Sequence, residues 1–113
     1  MKTYEGRRDY HMTIVTVNGQ PLDPRVDLWE HSSGFEWGYG GSGPAQLALA
    51  LLADHLDDDE QAVALHQEFK WAVVANLSRP TWTLTSDQIE KVLRALQPAG
   101  QPPDRSWIGG PDA

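Results

Sequence analysis

A chain of 113 residues with 40% hydrophobic and 22% charged side chains has the length and makeup of one globular domain, too short for two independent cores. It contains no cysteine, which excludes disulfides and thiolate metal sites, and its formal net charge of −7 opposes phosphate-backbone binding, so no direct nucleic-acid binding is expected. The N-terminus carries no signal-like apolar run and the Leu/Ala run from Ala45 to Ala53 is too short to cross a bilayer, pointing to a cytoplasmic protein without membrane contact.

Thr3 to Arg8 reads as a strand, and Met12 to Val17, dense in β-branched types, as a second. Asn18-Gly19 follows at once and favours a tight hairpin turn, with Pro21 and Pro24 limiting the return strand to a short edge. Gly34 to Trp37 (GFEW) has two aromatics one residue apart and predicts another short strand.

Pro44 suits a first helical turn, with Gly43 or Ser42 as cap, and predicts a helix over 44–56. Its leucines occupy most of the circumference, leaving Gln46, Ala50, Ala53 and Asp54 as a narrow strip, so this helix belongs at the buried centre. Asp57, Asp58 and Asp59 then break it and offer caps for a second helix over 60–77. That helix puts Ala62, Leu65, Phe69, Ala72 and Val73 on one face and Val63, Trp71 and Val74 on another that needs its own cover. Thr81 to Thr85 predicts a short strand, and Thr85-Ser86-Asp87-Gln88 opens a third helix with a capping-box pattern. Residues 1–97 thus form a compact α+β domain, a small mostly antiparallel sheet packed on three helices. Residues 98–113, rich in Pro and Gly, read as a disordered tail in which Trp107 and Ile108 are candidates for docking.

Five of the ten glycines lie between Gly34 and Gly43. Gly38, Gly40 and Gly43 satisfy GxGxxG, but a second helix stands where a dinucleotide fold needs a second parallel strand. Gly38 and Gly43 also frame a P-loop, yet Pro44-Ala45 occupies the places of Lys and Ser/Thr. What survives is a generic anion site at the helix start, Gly40 to Gly43 with Ser42, set against an architectural role in which the glycines admit close backbone approach.

The stretch HSSGFEWGYGGSGPAQLALALLADHL, with YEGRR before it and FKWAVVANL and WTLTSDQIEKVL after it, resembles an uncharacterised family of unknown function spread through bacteria, archaea, phages and plasmids. The resemblance runs from about Tyr4 to Leu96 and implies a shared fold. It brings no activity and no site residues, and its distribution implies roles in phage–host or plasmid–host conflict.

Other chemistry is sparse. His31 stands among Asp27, Glu30, Ser32, Ser33 and Glu36, side chains able to serve acid–base or nucleophilic work if other elements brought them together. His55 and His66 lack the i, i+4 spacing of a helical metal pair, and His66 reads as a hydrogen-bonded core residue. No catalytic set is complete, and no metal or cofactor is expected. A polar pocket of Arg7 or Arg8 with Glu36, Gln46 and Asp54 is the candidate ligand site. Asp57, Asp58, Asp59 and Glu60, with Trp71, form the candidate partner surface. The composite expectation is a small acidic binding or regulatory protein acting on a protein partner, such as a mobile-element inhibitor. Its rivals are an enzyme or sensor for a small anion at the glycine corner, and a homodimer covering the Trp71 face.

Overall fold

The computed structural model describes residues 1–10 and 12–96. The tail and its Trp107 and Ile108 lie outside the described residues.

Strands β1 (Thr3–Arg8), β2 (Thr13–Val17), β3 (Gln20–Pro21) and β4 (Thr81–Thr85) form an antiparallel sheet in the order β3-β2-β1-β4. Asn18 and Gly19 make the β2–β3 turn with φ of 50° and 83°, the positive pair that a two-residue hairpin needs. Pairing sets Tyr4 opposite Val17 on one side and Leu84 on the other, and Gly6 opposite Val15 and Trp82. Tyr4, Val15 and Trp82 therefore share the inner face and are buried, while Glu5, Arg7, Thr81 and Thr83 point to solvent.

Helix α1 (Ser42–Leu56) fills the interior: every residue from Gly43 to Ala53 is buried. Its apolar surface runs round the whole helix because the sheet, helix α2 (Asp59–Ala72), a 3-10 turn (Val74–Asn76) and the segment 22–41 close on it from different sides. Asp57, in the left-handed region at φ 51°, ends α1 by donating its N–H to Ala53 O, and Asp58 starts α2 by accepting from Gln61 N at 3.1 Å. Helix α3 (Ser86–Leu96) packs on α2 and β4. Its capping box closes reciprocally, Thr85 N to Gln88 Oε1 at 2.9 Å and Gln88 N to Thr85 Oγ1 at 3.2 Å.

Two expectations are corrected. Gly34–Trp37 is not a strand: its carbonyls bond to side chains instead of a ladder, Phe35 O accepting from Thr13 Oγ1 at 2.7 Å and Trp37 O from Arg8 Nη2 at 3.0 Å. The second helix stops at Ala72 and not Leu77, because Asn76 Nδ2 turns back to cap the carbonyls of Trp71 and Ala72 at 3.0 and 3.2 Å. Trp37 is inside regardless. Its ring meets that of Trp82 edge-on at 5.5 Å, and its Nε1 donates to Arg79 O at 2.9 Å.

Gly6 lies directly beneath the Trp82 indole, where a Cβ would overlap the ring. Gly6→Ala is expected to cost about 1–3 kcal/mol by forcing Trp82 off its seat, while Gly34→Ala, which meets nothing within 4 Å, changes stability by under about 0.5 kcal/mol. Urea unfolding midpoints of the two variants check this.

Candidate functional site

Gln46, in the second turn of α1, has no exposure at all. Its side-chain amide makes four hydrogen bonds to one loop. Oε1 accepts from His31 N (2.7 Å) and Ser32 N (3.1 Å), and Nε2 donates to Pro24 O (2.6 Å) and Trp29 O (3.0 Å). A primary amide has two donors and two lone pairs, so Gln46 is saturated, and four backbone groups of the loop are satisfied without water. Arg25, at φ 55°, reinforces the loop from outside with its guanidinium between Asp27 and Asp59. Those bonds hold the Arg25 proton more firmly and, through Arg25, lower the Asp27 carboxyl below the usual range.

The clamp carries Trp29 and His31 onto α2. The Trp29 ring stacks on His31 at 4.6 Å and meets His66 edge-on at 5.5 Å. His31 Nε2 lies 2.9 Å from His66 Nε2. His66 Nδ1 faces Val63 O at 2.7 Å, and because a carbonyl only accepts, that nitrogen carries the proton and His66 Nε2 receives the hydrogen bond from His31. The pair takes up one more proton at His31 Nδ1 with this hydrogen bond intact, but a second, on His66 Nε2, would set N–H against N–H. One turn along α2, Lys70 is only 7% exposed, its ammonium resting on the Trp71 ring at 4.4 Å. Burial depresses both imidazoles, helped at His31 by the charge of His66 and then of Lys70 and at His66 by that of Lys70, while the Val63 carbonyl and Glu68 partly offset the effect at His66.

The residues singled out from sequence are dispersed. Arg8 and Glu36 do meet, at 2.8 Å, with the guanidinium 4.6 Å over Trp37, but Arg7 points from the opposite face of the sheet. Asp54 instead accepts from Tyr4 Oη at 3.0 Å and pairs with Lys2 at 3.3 Å, and burial followed by the Asp54 bond raises the Tyr4 phenol far above its ordinary value. The glycine corner is filled by side chains: a Cβ would strike the Trp71 ring at Gly40, the Tyr39 ring at Gly41 and the Glu36 stem at Gly43, with Ser42 exposed beside them. Asp27 and Glu36 around His31 are spent on arginines, and Ser32 Oγ accepts from Gly34 N at 3.3 Å. His55 Nε2 pairs with Glu90 Oε2 at 2.6 Å. Asp57–Glu60 lie at the start of α2 and Trp71 at its end, about 20 Å away at helical rise, so they are separate surfaces. Among the described residues no three His, Cys, Asp or Glu side chains are grouped to hold a metal ion, and no helix is long and apolar enough to cross a membrane.

The Trp29–His31–His66–Lys70 cluster did not emerge from the sequence reading. Its one sequence signal is the i, i+4 spacing of His66 and Lys70.

A model of a family of unknown function, DUF6166, matches residues 4–95. The chain belongs to that family. The DUF6166 span runs from β1 to the last turn of α3 and so includes the clamp, the histidine pair and the glycine corner. No curated protein and no solved structure matches the chain.

Gln46→Ala would strand two N–H and two C=O groups and is expected to destabilise by at least about 3 kcal/mol, with faster hydrogen exchange at the His31 and Ser32 amides. Gln46→Glu is no rescue, since a carboxylate would face two carbonyl oxygens. The lowered histidines bind fewer protons folded than unfolded, so their contribution is intact above the ordinary imidazole value of about 6.5 and is lost as pH falls below it. The urea midpoint is expected to drop between about pH 8 and about pH 5.5, and to drop less in His31→Asn. A wild-type midpoint flat across that window refutes the assignment.

Proposed function

We propose that the protein is a binding module that acts by contacting another macromolecule through the aromatic face around the head of α1. The observation that carries this reading is the exposure of Trp29, Tyr39 and Trp71, each at least half open to solvent. Large aromatics supply most of the energy at protein contacts when rigidly presented, and a monomer exposes them at a cost in solubility. All three are rigidly presented here: Trp29 by the Gln46 clamp and its stack on His31, Tyr39 and Trp71 against Gly41 and Gly40.

The acidic run at 57–60 is a weaker candidate for the contact, because Asp57 and Asp58 cap helices and Asp59 binds Arg25. A small anion held by the glycine amides is likewise less favoured. The Glu36 stem packs against Gly43 and aromatic rings cover Gly40 and Gly41. A mobile-element inhibitor and a host regulator both fit a contact of this kind.

The test is affinity capture from the native host with the wild-type chain and the double variant Trp29→Ala/Trp71→Ala, both shown to be folded by circular dichroism. The expected outcome is a macromolecule retained by the wild type and lost by the variant. Equal recovery with both chains, or a wild-type dimer in light scattering that the variant breaks with nothing else bound, overturns the reading.

A further inference from the structure

The two imidazoles that the clamp brings together have the spacing of a chelate. His31 Nε2 and His66 Nε2, 35 positions apart in the chain, face each other across 2.9 Å. Late first-row metal ions hold an imidazole nitrogen at about 2.0–2.1 Å. Two nitrogens at that radius are about 2.9 Å apart when they take adjacent positions at about 90°, and about 3.3 Å apart in a tetrahedron. The ion then sits beside the line joining them, and the rings tilt toward it.

Three features favour coordination at this point. His66 Nδ1 gives its proton to Val63 O at 2.7 Å, which leaves the Nε2 lone pair free and supplies the carbonyl backing that a metal-bound imidazole usually has. The Gln67 amide ends 3.5 Å from the same His66 Nε2, at the outer limit of a hydrogen bond; turned over, it presents Oε1 as a third donor. His31 is positioned in advance, its backbone N–H held by Gln46 Oε1 at 2.7 Å and its ring stacked on Trp29 at 4.6 Å. Its Nδ1 makes no hydrogen bond among the described residues and can take the proton now on Nε2.

We propose that His31, His66 and Gln67 bind one divalent late transition-metal ion, copper(II), nickel(II) or zinc, through Nε2, Nε2 and Oε1. Two metal–nitrogen bonds and one metal–oxygen bond replace three waters of the ion. The His31 proton moves from Nε2 to Nδ1, so none is released, and no oxidation state changes. Among the described residues no third His, Cys, Asp or Glu completes the set, and water takes the remaining positions. Imidazole donors select against magnesium and calcium, which prefer oxygen. Of the charged groups on this stretch of α2, Glu68 favours a cation near His66 and Lys70, resting on the Trp71 ring, opposes one. A bound ion pins the Trp29 loop to α2 without any docking partner, so the site stands or falls apart from the contact function.

The experiment titrates the full chain, free of any histidine tag, with copper(II), nickel(II), zinc and magnesium chlorides, following binding by calorimetry and the histidine rings by NMR. Expected is saturation by at least one of the first three at one ion per chain, with the His31 and His66 signals shifted or broadened, those of His55 unchanged, and no response to magnesium. His31→Phe, which keeps a flat ring on Trp29 but removes the donor, is expected to lose at least about tenfold in affinity once circular dichroism shows it folded. Gln67→Glu, which puts a carboxylate where the amide oxygen stands, is expected to gain about threefold or more, a gain that a pair joined only by a hydrogen bond would not show. In the wild type, the bound ion raises the urea midpoint. No saturable binding of any of the three ions, an affinity unchanged in His31→Phe, or a Gln67→Glu chain that binds no better overturns the assignment.

Discussion

One buried amide organises this protein. Gln46 sits where an apolar residue would cost nothing to bury, in the second turn of a helix rich in leucine and alanine. It is tolerated there because all four of its hydrogen-bonding positions are filled, and they are filled by backbone groups of a loop that has no secondary structure to satisfy them. The dependence runs both ways. Without the loop, Gln46 would be an unpaired polar group in the core. Without Gln46, the segment from Pro24 to Ser32 would have no means of crossing the surface of α1 with its carbonyls and amides buried. The placement of Trp29 and His31 on α2 follows from that exchange.

The glycine corner answers to a related constraint. Where the chain passes from the loop into α1, Gly40 and Gly41 lie under aromatic rings and Gly43 abuts Glu36, so the absence of side chains is used for approach between backbone and neighbours. Gly38 is the exception. At φ 92° it turns the chain in a region that other residues avoid, and its amide donates to Val74 O at 3.0 Å, tying the corner to the 3-10 turn that follows α2. Trp71 is thereby held over Gly40 with one face against the backbone and the other available to Lys70.

Much of the architecture was legible in the residues because it is encoded locally. The Asn18-Gly19 turn, the Thr85–Gln88 capping box and the all-round burial of α1 follow from turn chemistry, cap chemistry and the breadth of a leucine stripe. The site was less legible because it is built from long-range pairs. Gln46 and Asp54 do share the polar strip seen in the sequence, but Gln46 bonds to backbone atoms, which no residue type advertises, and Asp54 to Tyr4 and Lys2 some fifty positions away. His31 and His66 are 35 residues apart and meet only because the clamp delivers one to the other. GFEW alternates like a strand, yet side chains of β1 and β2 took its carbonyls first.

The two borders of the sheet are unequal. On one side β3 is two residues long and includes a proline, which has no amide hydrogen to offer an incoming chain. On the other, β4 reads TWTLT, five residues without a charge, and among the described residues no strand covers its outer side. Its brevity, Pro80 before it, the immediate turn into α3, and the mutual repulsion of chains that each carry −7 all oppose zipping of this border onto its copy in another molecule. The surplus of acid that looks incidental to folding thus acts as colloidal insurance, and it weakens as salt shortens the reach of that repulsion.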